Sequence, residues 1–426
     1  MKRRSMRVVA VGLLAAGALG TWAAPEAIHA TPPVDRDAAV IVRWNEITER
    51  TVAENAVPIP PSGLYFAFAS LAMYDAVVTI EGRYEPWAPQ PRAHRHASPE
   101  AAAATAAYVV LSHYFPASRQ ALIADYRASL ADIRTGVGKI HGIKVGAIAA
   151  NRMILTRSND GRDANVPQPG GPPLDPGEWR PTAPAFAPML TPWLGFVTPV
   201  VLPSPTAITL DGPPALDSDT YAADFAEVRD FGGTVSQRSS EQTATALFWV
   251  PNAVRQYHVA MRDQVTDRGL DIVDTARTFA VLDASIADAA IACWRAKYDH
   301  NFWRPDTAIA LADTDGNPAT HVVPSWTPLI PNPPYPDYTS GHACITGATT
   351  GTLEQLFDTP LSPAFDVPSL AATPNRQFVS TNALDDETMN ARIWLGIHFR
   401  AAMIDGNALG HAVADFAVTN HFHSID

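Results

Sequence analysis

The sequence predicts an all-α protein in which two packed bundles of the four-helix type are joined by long, ordered, proline-rich loops. Apolar residues recur at helical spacing along most of the chain, and no segment alternates with period two over a length that would build a major sheet. The 426 residues include 38 prolines, close to twice the share of about 5% that is usual. Because proline interrupts helices and strands, its clusters at 158–214 and 324–336 indicate loops.

Capping residues support several of the helix assignments. Ser98, Pro99 and Glu100 combine an N-cap, a proline at the first helical position and an early acidic residue, which is a typical helix start. The predicted helices span 35–56, 64–78, 99–114, 118–133, 139–156, 218–230, 239–250, 255–268, 275–302, 340–357, 384–397 and 401–418.

The segment 158–214 lacks helical or strand periodicity but contains scattered aromatic residues, among them Trp179, Phe186 and Trp193. A long segment of this kind is usually either a linker or a functional loop. Its aromatic residues favour an ordered loop that packs on the core.

The N-terminus has the pattern of a secretory signal. Four basic residues among the first seven precede an uncharged run at 8–24, and small residues follow it. We therefore expect residues 1–30 to be a signal peptide, with cleavage after Ala24 or Ala30, and residues 31–426 to form a single α-helical domain. The Sec route is favoured over the twin-arginine route that Arg3-Arg4 would suggest, and the predicted location is secreted or periplasmic. No later run is apolar enough to predict a membrane span in the mature chain.

Charge and cysteine content exclude several classes of function. The 43 acidic and 31 basic residues give a formal net charge of −12, which argues against a non-specific nucleic-acid binder. The two cysteines, Cys293 and Cys344, lack further ligands at metal-finger spacing, so a structural zinc site is not expected. Whether they form a disulfide is left open.

Two segments of the last third suggest an anion site. Lys297 and Arg304 are seven residues apart, so two turns of one helix would direct both towards one point, and Pro305 would end that helix. Ser340, Gly341 and His342 follow a proline-rich loop, and a hydroxyl beside the free N–H groups of a helix N-terminus can bind an anion.

A third segment adds Arg392 and His398, which lie about 120° apart on an ideal helix. They can converge only if the chain bends between them, and Gly396 is the candidate bend. Together the segments supply three cations and two histidines, which suit a small tetrahedral oxyanion of charge −2 or −3. One histidine could bond to its central atom while the other transfers a proton.

These motifs resemble a known signature. Lys-x6-Arg-Pro, Ser-Gly-His and Arg-x5-His are similar to the three-part motif of the superfamily of type 2 phosphatidic acid phosphatases and vanadium-dependent haloperoxidases. The segments 73–77, 176–181, 241–243 and 248–249 also resemble members of the haloperoxidase-like branch. The resemblance implies a helical two-bundle fold, with the catalytic motifs at 297–398.

The resemblance also assigns roles to the motif residues. The oxyanion, which is vanadate in a haloperoxidase, would be held by Lys297, Arg304, Ser340, Gly341 and Arg392. His398 would be the covalent vanadium ligand or, in a phosphatase, the phosphorylated nucleophile, and His342 would be the acid–base residue. An acid that braces one arginine in the family cannot be located from the motifs.

Two positions bear on halide preference, and a third departs from the motif. Trp294 resembles the tryptophan beside the halide site of chloroperoxidases. Tyr335 stands where those enzymes have phenylalanine and bromoperoxidases have histidine, and as a phenol it could itself be halogenated or oxidised. Thr339 replaces the proline that usually precedes Ser-Gly-His, which alters the turn but removes no ligand.

Three functions remain open at this stage. The first is a vanadate-dependent haloperoxidase that uses hydrogen peroxide to oxidise a halide and passes the product to an organic acceptor. The alternative is a secreted acid phosphatase that cleaves phosphate esters through a phosphohistidine in the same pocket. The third is an oxyanion-binding protein without catalysis, against which the presence of both His342 and His398 argues.

Overall fold

Helices make up nearly all the regular structure of the computed structural model, which describes residues 37–169, 174–370 and 373–425. The α-helices are α1 (Ala39–Glu54), α2 (Ile59–Glu81), α3 (Pro99–Tyr114), α4 (Arg119–Ala131), α5 (Val137–Thr156), α6 (Asp219–Phe231), α7 (Ser240–Phe248), α8 (Ala253–Asp267), α9 (Ile272–His300), α10 (Pro305–Ala310), α11 (Gly341–Leu356), α12 (Thr381–Trp394) and α13 (Arg400–Asn420). Two three-residue strands, β1 (Phe365–Val367) and β2 (Arg376–Phe378), pair antiparallel. The all-α prediction is confirmed. The predicted signal peptide, residues 1–30, lies outside the described residues.

The long helix α9 is the common element of the two bundles. It packs against α2 of the first bundle, in which α2, α3 and α5 contact one another, and against α11 and α13 of the second. Most of its 29 residues are buried, including its two mid-helix acids, Asp283 and Asp288. Because Lys297 lies near the C-terminus of α9, the packing of both bundles fixes its position.

The helices α11 and α13 approach each other closely through glycines. A Cβ atom on Gly347 would lie 2.1 Å from the carbonyl oxygen of Asn407, and one on Gly410 would lie 2.2 Å from that of Cys344. Such distances exclude any side chain at either position. The contact fixes the N-terminus of α11, which begins at Ser340 and Gly341, against α13.

The loop 158–214 is ordered where the structure describes it. The backbone N–H groups of Val200, Val201 and Leu202 all donate to the buried carboxylate of Asp288, at 2.7–2.8 Å. The N–H of Trp179, whose ring is buried, donates to the carbonyl of Asn301 at 2.7 Å. The loop thus packs on α9 and on the segment that leads to Arg304.

Several boundaries differ from the prediction for local reasons. The helix α9 ends at His300, two residues early, because Asn301 adopts the left-handed conformation. Lys297 and Arg304 therefore do not share a helix, and Pro305 begins α10 instead of ending a helix. The helix α12 ends at Trp394, three residues before the predicted end.

One described helix, α2, is long and apolar enough to cross a membrane by length and composition. However, 83% of its most apolar window is buried inside the fold. A helix that is apolar on all sides is typical of a protein core as well as of a membrane. Its contacts with α3, α5 and α9 account for the composition.

Candidate functional site

The first cation of the site, Lys297, is completely buried beneath the loop before α11. Its Nζ donates to the backbone carbonyls of Pro336, at 2.7 Å, and Asp337, at 3.0 Å. The ammonium also lies 5.0 Å from the ring centre of Tyr335 and 5.7 Å from that of Trp294. Two carbonyls and two aromatic rings thus hold this charge away from bulk water.

Arg304 is buried in the extended segment between α9 and α10. Its Nε donates to the carbonyl of Tyr335 at 2.8 Å, and its Nη1 donates to that of Ile397 at 2.5 Å. The same Nη1 lies 3.2 Å from Nε2 of His398. This guanidinium therefore links the loop before α11 to the segment after α12.

Ser340, Gly341 and His342 form the start of α11. The Ser340 hydroxyl caps the helix, and its backbone N–H donates to the carbonyl of Ala402 at 2.9 Å. Gly341 is the first helical residue, so its N–H has no acceptor within the helix. A Cβ atom on Gly341 would lie 3.1 Å from the ring of Trp294, so even alanine would crowd this position.

Arg392 and His398 converge because the helix between them ends. Gly396 adopts φ +78°, a conformation that favours glycine, and it turns the chain after Trp394. Arg392, in the last turn of α12, donates from Nη1 to the carbonyl of Trp249 at 2.7 Å. The bend expected at Gly396 is present.

Asp337 is a site residue that the sequence motifs do not locate. Its Oδ1 lies 2.7 Å from Nδ1 of His398 and 3.9 Å from Nη1 of Arg304. The side chains of all three residues are nearly fully buried. Because Arg304 donates to Nε2 of His398, that nitrogen carries a lone pair, and the ring proton lies on Nδ1 and faces Asp337. The only sequence signal was an acid three residues before Ser340.

Three buried nitrogens at this site have no hydrogen-bond partner among the described residues: Nη2 of Arg304, Nε of Arg392 and Nε2 of His342. Buried polar atoms are normally paired, so the occurrence of three unpartnered nitrogens at one site is significant. Two are cationic donors, which an oxyanion would satisfy, and the third is a histidine nitrogen that could exchange a proton with such an anion. A tetrahedral anion such as vanadate or phosphate fits this combination of two cationic donors and one basic nitrogen.

Burial controls the protonation of the site. It lowers the pKa of Lys297 to about 8 and that of Arg392 to about 10. Burial, together with neighbouring cations, lowers the pKa of both His342 and His398 well below the usual value. At neutral pH the histidines are therefore neutral, whereas the cations keep their charge.

Asp337 responds to burial in the opposite direction. Burial raises its pKa to about 7, while the charges of Arg304 and Lys297 lower it. We assign the ionised form at neutral pH, because His398 directs its Nδ1 proton towards this carboxylate. One anion thus faces three cations, and the site keeps an excess of positive charge.

Comparison with known proteins gives three consistent results. The family model described as the VCPO second helical-bundle domain matches residues 277–426. The vanadium chloroperoxidase of Curvularia inaequalis is 28% identical over a segment that covers 39% of this chain and 37% of that protein. The crystal structure of the first bacterial vanadium-dependent iodoperoxidase superposes with a TM-score of 0.76 at 26% identity, covering 91% of this chain and 96% of the other. The chain is therefore similar to vanadium haloperoxidases, in sequence over its C-terminal bundle and in fold over most of its length.

A more distant structure agrees in fold. An apo-type bacterial vanadium-dependent chloroperoxidase superposes with a TM-score of 0.65 at 16% identity, over 84% of this chain and 92% of the other. Because this identity is low, the likeness concerns the helical fold alone.

The two aromatic residues predicted beside the halide site, Trp294 and Tyr335, lie near Lys297. The rings of Trp294 and Tyr335 lie 5.0 Å apart, and the indole N–H of Trp294 donates to the carbonyl of Leu190 at 3.2 Å. Trp294 is buried, whereas Tyr335 keeps partial exposure. All nine residues predicted from the sequence therefore lie around one site, although their roles remain predictions.

The two cysteines are free and buried behind the site. The Thr339 hydroxyl lies 3.4 Å from the sulfur of Cys293 and 3.4 Å from that of Cys344. The disulfide left open by the sequence is not formed. Thr339, which replaces the usual proline, thus contacts α9 and α11 through these thiols.

Proposed function

We propose that this chain is a vanadate-dependent haloperoxidase, which uses hydrogen peroxide to oxidise a halide. The observation that carries the proposal is the set of unpartnered buried nitrogens on Arg304, Arg392 and His342. These atoms share one site with Lys297 and with the neutral nitrogen of His398. The similarity to vanadium chloroperoxidase and to a bacterial vanadium-dependent iodoperoxidase supports the same reaction class.

The residues present fit vanadate. Lys297, Arg304 and Arg392 would balance its charge, the Ser340 hydroxyl and the Gly341 N–H would donate to its oxygens, and Nε2 of His398 would bind vanadium. When bound, vanadate supplies a Lewis-acidic centre at which peroxide becomes reactive towards halide.

The protein groups have distinct tasks in this proposal. The cations bind and orient the anion, and they are preorganised because backbone carbonyls already fix them. Asp337 keeps the Nδ1 proton of His398 in place, so that the Nε2 lone pair faces the anion.

His342 would move protons at its Nε2 atom. Its low pKa in the free site arises first from burial and then from the charge of Arg392. An anion beside Arg392 would offset that charge and raise the pKa of His342, which would allow the ring to accept a proton. Trp294 and Tyr335 would limit water access on the side from which halide approaches.

The phosphatase alternative uses the same side chains, because phosphate and vanadate share geometry and similar charge. The test is therefore a parallel assay of the full chain. One arm measures halogenation of an organic acceptor with vanadate, peroxide and iodide, bromide or chloride. The other arm measures release of phosphate from a phosphomonoester without vanadate.

Halogenation that needs vanadate is the expected result. Phosphate release with no halogenation at any halide would overturn the proposal in favour of the phosphatase. His398→Ala should abolish halogenation, whereas His113→Ala, at an exposed histidine of the first bundle, should retain it. Inactivity in both arms, together with tight vanadate binding, would support the non-catalytic alternative.

We also propose that the enzyme acts outside the cytoplasm, after removal of a signal peptide that ends at Ala24 or Ala30. The basic and apolar pattern of residues 2–24 supports this location. N-terminal sequencing of the protein from the culture medium or periplasm should give a chain that starts at Pro25 or Thr31. An intact N-terminus on protein that stays in the cytoplasm would contradict export.

A further inference from the structure

Tyr335 places a phenol directly at the anion site. Its ring centre lies 5.0 Å from the guanidinium carbon of Arg304 and 5.0 Å from Nζ of Lys297. Burial raises the pKa of this phenol, and the charges of Arg304 and Arg392 together with a hydrogen bond to Arg304 act in the opposite direction. The ring of this phenol therefore lies against the same guanidinium that would bind the oxyanion.

The other ten tyrosines have different surroundings. Tyr338, the nearest along the chain, is buried, and its hydroxyl donates to Asp405 at 2.6 Å. Tyr298 packs its ring on Phe196. In the described part of the chain, Tyr335 is the one tyrosine whose ring lies against Lys297 or Arg304.

A phenol at this place has a chemical consequence. The hydroxyl group makes the two neighbouring ring carbons electron-rich, so they react with electrophilic halogen. Hypohalous acid formed at the site would meet the half-buried ring of Tyr335 before it reached bulk solvent. Proximity of this kind raises the effective concentration of a reactant by orders of magnitude.

We propose that Tyr335 is a self-modification site whose ring is halogenated during turnover. This inference rests on the proposed function, which supplies the hypohalous acid from halide and peroxide. A ring carbon next to the C–OH carbon attacks the halogen, so that a carbon–halogen bond forms and the halogen–oxygen bond breaks. The hydroxide released takes the proton from that carbon, and water is the second product.

The modification would also alter the site. A halogen beside the hydroxyl acidifies the phenol, and a phenolate next to Arg304 would neutralise part of the charge that holds the oxyanion. Enzyme that has turned over without an acceptor should therefore bind fresh vanadate more weakly. The same treatment of Tyr335→Phe should not weaken binding through this route.

The experiment uses the purified full chain with vanadate, hydrogen peroxide and bromide, and no organic acceptor. Peptide mass spectrometry measures bromine at Tyr335 and at Tyr108, a half-buried tyrosine of α3 that stacks on Tyr126. An acceptor assay on the same preparation measures bromide oxidation independently. A parallel sample receives the same quantity of reagent hypobromite without vanadate.

During turnover, the ratio of label at Tyr335 to label at Tyr108 should exceed that of the reagent sample by at least about tenfold. Tyr335→Phe should lose the label at this position, and Tyr108→Phe should keep the label at Tyr335. Acceptor bromination with an unlabelled Tyr335, or an equal ratio in the two samples, would overturn the inference and leave the proposed function intact. No acceptor halogenation with any halide would overturn both.

Discussion

Replacing Asp337 with asparagine tests how the protein controls His398. The carboxylate lies 2.7 Å from Nδ1 of His398 and 3.9 Å from Arg304, so the substitution changes a hydrogen bond and a charge together. These two changes have opposite effects on anions. Loss of the carboxylate weakens control of the His398 lone pair, but it also removes a negative charge from a site that binds anions.

The magnitude of the first effect follows from the kind of hydrogen bond. A bond to a charged group contributes about 1.5–3 kcal/mol, against about 0.5–1.5 kcal/mol for a neutral one. Partners that orient a metal-bound histidine typically affect metal affinity by about 10- to 100-fold. The difference of about 1–1.5 kcal/mol corresponds to about 5- to 13-fold, so both estimates are consistent with a loss in vanadate affinity of about tenfold through this effect.

The second effect favours any anion that binds without a bond to His398. Opposite charges about 4 Å apart interact by about 4 kcal/mol at an effective dielectric constant of about 20, so removal of Asp337 frees Arg304 to attract an anion more strongly. Sulfate affinity should therefore stay the same or increase. The ratio of vanadate to sulfate affinity is the quantity that should fall.

Titration calorimetry with vanadate and with sulfate would measure both affinities on the same preparations. Asp405→Asn is the matched control, because it removes a neighbouring carboxylate that accepts from Tyr338 and does not contact His398. The affinity ratio should fall in Asp337→Asn and remain unchanged in Asp405→Asn. A change by the same factor and sign for both anions in Asp337→Asn would refute the role of Asp337 in orienting His398.

Three further predictions concern charge, backbone and burial. Burial lowers the pKa of Lys297 to about 8, so the affinity for vanadate should fall as the pH rises above 8 and Lys297 loses its proton. The control is Lys297→Gln, in which only the ionisation of vanadate itself changes the affinity with pH. This variant should lack the additional fall. Gly396→Ala should lower the melting temperature severely, because the new Cβ would lie 2.3 Å from a backbone carbonyl oxygen. The control is Gly316→Ala, at φ +75° with open space around it, which should lose only about 1–2 kcal/mol of stability. Equal losses of stability in the two variants would contradict the steric argument. Arg157→Met should lower the free energy of unfolding by about 2–4 kcal/mol, because the guanidinium is buried and donates to two backbone carbonyls of the loop 158–214. The control is Arg95→Met, at an exposed arginine. A decrease in melting temperature no larger than that of the control would disprove the prediction.

The helices were the most predictable part of the fold. Ser98, Ser239 and Ser340 cap α3, α7 and α11, and a short polar residue before an apolar periodic run is visible in the sequence. Boundaries set by one backbone conformation were predicted less well. Asn301 ends α9 early because it adopts the left-handed conformation, and nothing in the helical periodicity of the segment indicates this.

The candidate site was predictable only where its residues have a fixed spacing. The motif residues could be identified together because each segment keeps its order, as Ser340, Gly341 and His342 do. Asp337 contributes through proximity in space, and an isolated acid in a loop has no distinguishing pattern. Asp288 shows the same limit, since its three backbone partners lie more than 80 residues away along the chain.

The proline-rich loop before α11 explains how two of the three cations, Lys297 and Arg304, can be buried together. Its backbone carbonyls at Tyr335, Pro336 and Asp337 accept from Arg304 and Lys297. Proline has no N–H and its φ is fixed, so a proline-rich segment presents carbonyls without adding donors that would compete for the anion. Carbonyls satisfy one side of each cation, and the unpartnered nitrogens of Arg304 and Arg392 remain available to an oxyanion. The proline-rich loop next to the Ser-Gly-His motif is therefore part of the anion site itself.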